Sequence, residues 1–102
     1  MKNERNLAAK LFIMNYVYIL RSQYDGELYI GCTNDLKKRF REHNSGLVVA
    51  TRDRIPFELV YYEAFANKSD AFVREQWLKS GWGRHHMKKM LSNTIKSSGG
   101  QV

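Results

Sequence analysis

Tyr16-Val17-Tyr18-Ile19-Leu20 is rich in aromatic and β-branched residues and reads as a buried strand. Gln23-Tyr24-Asp25-Gly26 follows as a turn, with Gly where a positive φ is wanted, and Glu27 to Gly31 reads as a second short strand. Together they make a hairpin that places Tyr18 and Tyr29, eleven residues apart, on adjacent strands. Gly31 marks where the strand pattern gives way to a turn. A basic, helix-like run comes next, carrying Arg39 and His43 four positions apart. Two phenols, a guanidinium and an imidazole can all hold water and phosphate oxygens, which makes a phosphodiester-cleaving site the first chemistry to test.

Working outward, Asn34 is a good N-cap with Asp35 in the first turn, and Leu36, Phe40 and His43 or Asn44 recur at helical spacing until Ser45-Gly46 ends the helix. Arg39 and His43 then project from one face. Between Leu47 and Pro56 the pattern is lost, and Thr51, Arg52, Asp53 and Arg54 read as an exposed basic loop. Phe57 to Phe65 is a third strand. A second helix starts at Asn67 or Ser69 and runs to about Lys79, with Ala71, Phe72, Trp77 and Leu78 as core contacts. Ser80-Gly81-Trp82-Gly83 breaks it, with Trp82 anchoring the bend. Arg84 to about Ile95 resumes as a third helix with Met87, Met90 and Leu91 on one side. The order ββαβαα predicts an α+β domain over 14–96, a small three-stranded antiparallel sheet flanked by helices. Residues 1–13 read as an N-terminal extension, disordered or a frayed helix, with Met14 an alternative functional start, and 97–102 as a disordered tail.

The 102 residues, 43% of them hydrophobic, suffice for one small core. Seventeen Lys and Arg against ten Asp and Glu give a charge of +7, which favours a polyanion such as nucleic acid as partner. No acidic residue follows Glu75, whereas Lys79, Arg84, Lys88, Lys89 and Lys96 do, so the C-terminal quarter is the expected electrostatic footprint. Cys32 is the one cysteine, which excludes an intrachain disulfide and a cysteine-rich zinc site and fits a reducing cytoplasm. Lys10 interrupts the apolar run Leu7-Ala8-Ala9, and no export or membrane anchoring is expected.

Glu75 falls one turn after Ala71 and one turn before Leu78, so a carboxylate shares a face with apolar neighbours. Burying it is costly unless it is paired. A divalent ion such as Mg²⁺ or Mn²⁺ is one partner, since these hold water tightly and rarely need a full protein cage. Lys79, at i+4, is the other.

Taken in order, Tyr18, Tyr29, Arg39, His43 and Glu75 resemble the signature of the GIY-YIG nuclease superfamily. Tyr16-Val17-Tyr18 stands for its first motif and Tyr29-Ile30-Gly31 for its second. More narrowly, Glu42 to Gly46 and Leu78 to Arg84 resemble segments of the small single-domain members described as excinuclease-like, and the resemblance covers about residues 15 to 95. It implies metal-dependent endonucleolytic hydrolysis of DNA, on branched or damaged structures in repair or recombination. In that scheme Glu75 holds Mg²⁺ or Mn²⁺, Arg39 stabilises the phosphorane, and Tyr29 positions or deprotonates the attacking water. Tyr18 supports it by hydrogen bonds, and His43 is an available proton acceptor. Tyr16, Gly31 and Asn93 are supporting residues, Asn93 as the candidate for a polar group that many members carry after the glutamate. Lys37, Lys38, Arg41, Arg52, Arg54, Lys79, Arg84, Lys88 and Lys89 are the expected phosphate contacts, which position a strand without reading its sequence. RNA is not excluded as substrate, and a protein partner would supply specificity. The rival reading keeps the fold as a nucleic-acid-binding module that cuts slowly or not at all.

Overall fold

A computed structural model describes residues 13–100, with side chains described as far as Lys96. The expectations for residues 1–12, 101 and 102 lie outside the described residues. Three antiparallel strands, β1 (Asn15–Ser22), β2 (Leu28–Thr33) and β3 (Phe57–Phe65), form a sheet in the order β2-β1-β3. The helices are α1 (Leu36–Asn44), α2 (Lys68–Lys79), α3 (Gly81–Met90) and α4 (Ser92–Gly100), with a 3₁₀ turn at Arg52–Arg54. The α+β class stands as expected, in the order ββαβααα. No helix among the described residues is long and apolar enough to cross a membrane.

Gly26 closes the hairpin at φ +75°, and Ser22 braces it, its hydroxyl accepting from the amides of Tyr24 and Asp25 while donating to the Arg54 carbonyl at 2.6 Å. Directly opposed residues share a sheet face, and β1 pairs Tyr18 with Gly31 and Tyr62, and Leu20 with Tyr29 and Leu59. One face thus carries Tyr16, Tyr18, Leu20, Tyr29 and Tyr62 and the other Val17, Ile19, Ile30 and Cys32. Against the second face Ala71, Leu78, Met87 and Leu91 complete an apolar core. Against the first lie Leu36 and Phe40 of α1, with Phe57. Asn44 fixes the end of α1 to the start of β3, its amide donating to the Phe57 carbonyl at 3.0 Å and its oxygen accepting from the Phe57 amide at 2.7 Å.

Several local expectations are corrected. The N-cap of α1 is Asp35, whose carboxylate accepts from the Lys38 amide at 3.1 Å, rather than Asn34. Gly31 lies inside β2 and not at its end. It is small because the Tyr18 ring lies over it, and a Cβ there would overlap the Tyr18 hydroxyl and ring carbons. Phe72 and Trp77 are exposed, because the inward stripe of α2 runs through Ala71, Glu75 and Leu78. Ser80 both ends α2 and caps α3: its hydroxyl donates to the Trp77 carbonyl and accepts from the Gly83 amide, so α3 begins at Gly81. Trp82 anchors nothing there and is 78% exposed. Gly83 is the packing point, since a Cβ there would meet the α2 backbone at Trp77 and Leu78. The single helix expected over Arg84–Ile95 breaks at Leu91, and α4 runs to Gly100, into the stretch read as a tail.

Candidate active site

The loop read as exposed contributes a fully buried residue. Thr51 approaches Nδ1 of His43 at 2.8 Å, and His43 Nε2 stands 2.8 Å from the Tyr18 hydroxyl. Thr51 also turns its hydroxyl toward the Val48 carbonyl, at 3.5 Å. This network assigns the Nδ1–H tautomer, with Nδ1 donating to Thr51 and Nε2 accepting the Tyr18 proton. His43 is wholly buried, and burial, with the charge of Arg39 next, pulls its pKa down to about 4. It is therefore a neutral acceptor at pH 7. Tyr18 is displaced the other way, pushed up to about 12 chiefly by burial, against a hydrogen bond from Arg39, with Tyr29 and Glu75 adding to the rise. The Tyr29 ring packs edge-on against His43, centroids 5.1 Å apart.

At the Tyr18 hydroxyl, then, His43 makes the hydrogen bond and Tyr29 packs on the His43 ring, while the charges of Arg39 and Glu75 reach Tyr18 through space. Arg39 is held from behind by Glu42 at 3.1 Å. Glu75 is only 9% exposed, and its carboxylate faces the ammonium of Lys79 at 3.1 Å. Of the two partners expected for Glu75, the structure shows Lys79, in an i,i+4 pair on the inward stripe of α2. Its charge also reaches Cys32, whose thiol is pushed up by burial and then by Glu75.

Arg39 opens onto a cleft of about 490 Å³ beside the β2 edge, walled by Asp35, Lys38 and Glu42 of α1, by Cys32 and Thr33 of β2, and by Lys68 and Phe72 of α2. The cleft therefore lies where the two helical layers meet past the sheet edge, one turn along α2 from Glu75. Among the described residues no group of three or more His, Cys, Asp or Glu is clustered as a metal cage.

Other expected residues stand apart. Asn93 is exposed on α4, which packs on α3. Tyr16 packs edge-on against Tyr62, centroids 5.9 Å apart, in a different cavity. Arg54 is engaged by Asp25 through two bonds of 2.8 and 3.3 Å and lies over the Phe57 ring, so its guanidinium is a brace for the hairpin. Lys37, Lys38, Arg41 and Arg52 are exposed on α1 and its following loop, and Arg84, Lys88 and Lys89 on α3. Thr51 and Glu42 are the residues that sequence reasoning missed in the network. Glu42, three positions after Arg39, carried a legible i,i+3 signal; Thr51 carried none.

Comparison with known proteins agrees with this geometry. The GIY-YIG catalytic domain matches residues 14–89. A UPF0213 protein of Clostridium perfringens is 44% identical over 84 residues, covering 81% of this chain and 89% of the relative. Another from Bacillus pumilus is 48% identical, covering 69% and 70%. The solution NMR structure of the UPF0213 protein BH0048 from Bacillus halodurans superposes with a TM-score of 0.50 at 35% identity, over 83% of this chain and 89% of that one. With the sheet order, the paired tyrosines and the arginine and glutamate helices in place, the chain belongs to the GIY-YIG nuclease family, alongside the small UPF0213 proteins.

Proposed function

We propose that the protein is a divalent-metal-dependent endonuclease that hydrolyses DNA phosphodiester bonds at the cleft beside β2. The observation that carries this reading is the buried Tyr18–His43–Thr51 chain, with Tyr29 packed on His43 and the charges of Arg39 and Glu75 reaching Tyr18. The Tyr18 proton is committed to His43, so its oxygen faces an incoming water with lone pairs only and aims that water by accepting from it. Both members of this pair are held neutral, Tyr18 high and His43 low, so neither is a ready base or acid in the ground state. Proton movement from water through Tyr18 to His43 becomes favourable only as negative charge builds on the phosphate. Arg39, permanently charged and held by Glu42, meets that charge with a guanidinium that needs no reorganisation. Tyr29, on the same face of the sheet, is the second phenol able to hold the water.

The donor chemistry fits Mg²⁺ or Mn²⁺. Glu75 is a nearly buried carboxylate whose charge is balanced by one exchangeable ammonium, and it would hold the ion with waters and phosphate oxygens completing the shell. When bound, the ion supplies Lewis-acid stabilisation of the phosphate and leaving oxygen. The cations on α1 and α3 would bind the DNA backbone, so specificity comes from DNA shape or from a partner protein; a role in repair or recombination and a cytoplasmic setting fit this reading.

Cleavage of plasmid and branched DNA with Mg²⁺ or Mn²⁺ tests it. Arg39→Ala and Glu75→Gln are each expected to lose about 10³-fold in rate, the scale of removing a group that stabilises transition-state charge. Equal activity in wild type and both variants would assign any cutting to a contaminant and favour the rival reading, a binding module without catalysis.

A further inference from the structure

A second cavity, of about 510 Å³, opens on the other side of α1. Its floor is the sheet face that α1 leaves bare, Tyr16 on β1 with Leu59 and Tyr62 on β3, and its wall is Leu36, Lys37 and Phe40. The cause is geometric. Asn44 ties the end of α1 to β3 at Phe57, while the first turn of the helix stands off from Leu59 and Tyr62. Nothing in the hydrolytic network occupies this space. Tyr62 is 52% exposed, and among the described residues neither the Tyr16 nor the Tyr62 hydroxyl has a hydrogen-bond partner. A half-buried ring, Tyr16, and an exposed one, Tyr62, thus stand together with a lysine on the rim.

We propose that the Tyr16–Tyr62 cavity takes an unpaired nucleobase from the strand being cut. The cavity is of a size that takes small flat ligands, and its aromatic floor offers every base a stacking partner regardless of sequence. Charge and continuity select nucleic acid over a second copy or an apolar peptide. Lys37 on its rim, with exposed Lys38 and Arg41, makes the outer surface of α1 cationic. Asn34 and Asp35 border both this cavity and the Arg39 cleft, so the two openings flank one helix, about 10 Å across. A strand crossing the first turn of α1 with a phosphate at Arg39 reaches the aromatic floor within a few nucleotides. A base within an intact duplex is stacked and does not enter such a cavity. The substrate is thus nucleic acid with unpaired residues next to the scissile bond, such as a flap, gap or branch. The inference rests on the nuclease reading.

The test uses the full chain in EDTA, with fluorescent flap DNA and a continuous duplex of the same sequence, and 2-aminopurine placed singly at each unpaired position near the junction. Wild type is expected to prefer the flap and to change the fluorescence at one position. Tyr62→Ala is expected to weaken flap binding about 5- to 100-fold, to leave duplex binding unchanged and to abolish that change, while Tyr62→Trp retains it. Equal weakening of both DNAs, or no effect on either, overturns the nucleobase pocket and leaves the nuclease reading in place. Wild type that binds neither DNA overturns both. A dimer in solution that Tyr62→Ala converts to monomer overturns the pocket in favour of a contact between copies.

Discussion

The two faces of the sheet bury their residues to opposite ends. Toward α2 and α3, Val17, Ile19 and Ile30 meet Ala71, Leu78, Met87 and Leu91 in an apolar core, with Glu75 the one charged group among the described residues buried on that side of α2. Toward α1, the buried set includes Tyr18, His43 and Thr51, a hydrogen-bonded chain that an oily core would not need. Burial on the first side is favourable by itself. On the second it is tolerable only because each polar atom is partnered, so that side gives up stability to hold the Tyr18 phenol in one orientation. The comparison teaches that a residue's depth does not reveal its task. Leu78 and His43 are equally inaccessible, yet one holds the layers together and the other holds a proton.

The largest effect should separate these tasks. Leu78→Ala is expected to cost about 3 to 5 kcal/mol, the range for truncating a well-packed core leucine, with cleavage per folded molecule unchanged. Tyr18→Phe is expected to cost about 1 to 2 kcal/mol, because His43 Nε2 loses its donor in a buried site, and to lose most of the activity. Urea unfolding beside cleavage rates measures both, and the comparison breaks if the leucine variant is the one that fails to cut while folded.

Acid sharpens the same contrast. His43 stays neutral in the folded protein down to about pH 4, whereas in the unfolded chain it takes up a proton below about 6.5. The unfolded state then binds more protons in between, so the stability contributed here is complete above about pH 6.5 and is lost as pH falls toward 4. The loss is on the order of 3 kcal/mol. Urea midpoints across this window should fall steeply for wild type and less so for His43→Gln, which is weaker overall but carries no titrating ring. Parallel curves would mean that the buried imidazole does not set the acid limb.

How much of this was legible in the chain depends on the range of the physics involved. The hairpin was readable because Gly26 and strand alternation are local, and it puts Tyr18 and Tyr29 on adjacent strands; that they share a face follows from the register, which pairs Tyr18 with Gly31. Glu75 was readable because a 3.6-residue period places it between Ala71 and Leu78. Thr51 was not, since it reaches His43 through a loop without period, and a threonine among Arg52, Asp53 and Arg54 looks like surface. Trp82 and Phe72 misled for the complementary reason: size suggests core, but the helix stripe had already chosen Ala71, Glu75 and Leu78. Gly83 was read as a breaker because its need for closeness comes from the α2 backbone, which no local pattern records.

Lys79 pairs with the buried carboxylate of α2, and its substitution is the subtlest prediction. Its ammonium stands 3.1 Å from Glu75 but is itself partly exposed. Lys79→Met should therefore change stability by less than about 1 kcal/mol, the usual worth of a pair with one partner in solvent. Its consequence lies in competition. A divalent ion at Glu75 must displace or share with that ammonium, so removing it should tighten Mn²⁺ binding by about 5-fold, which corresponds to roughly 1 kcal/mol. Titration followed by Mn²⁺ electron paramagnetic resonance reads this without any cutting, and Glu75→Gln supplies the baseline. Tighter binding in the methionine variant places the ion on the carboxylate at the inner face of α2. Unchanged binding in both variants would detach the metal from Glu75 and leave that carboxylate as the structural half of a helix ion pair.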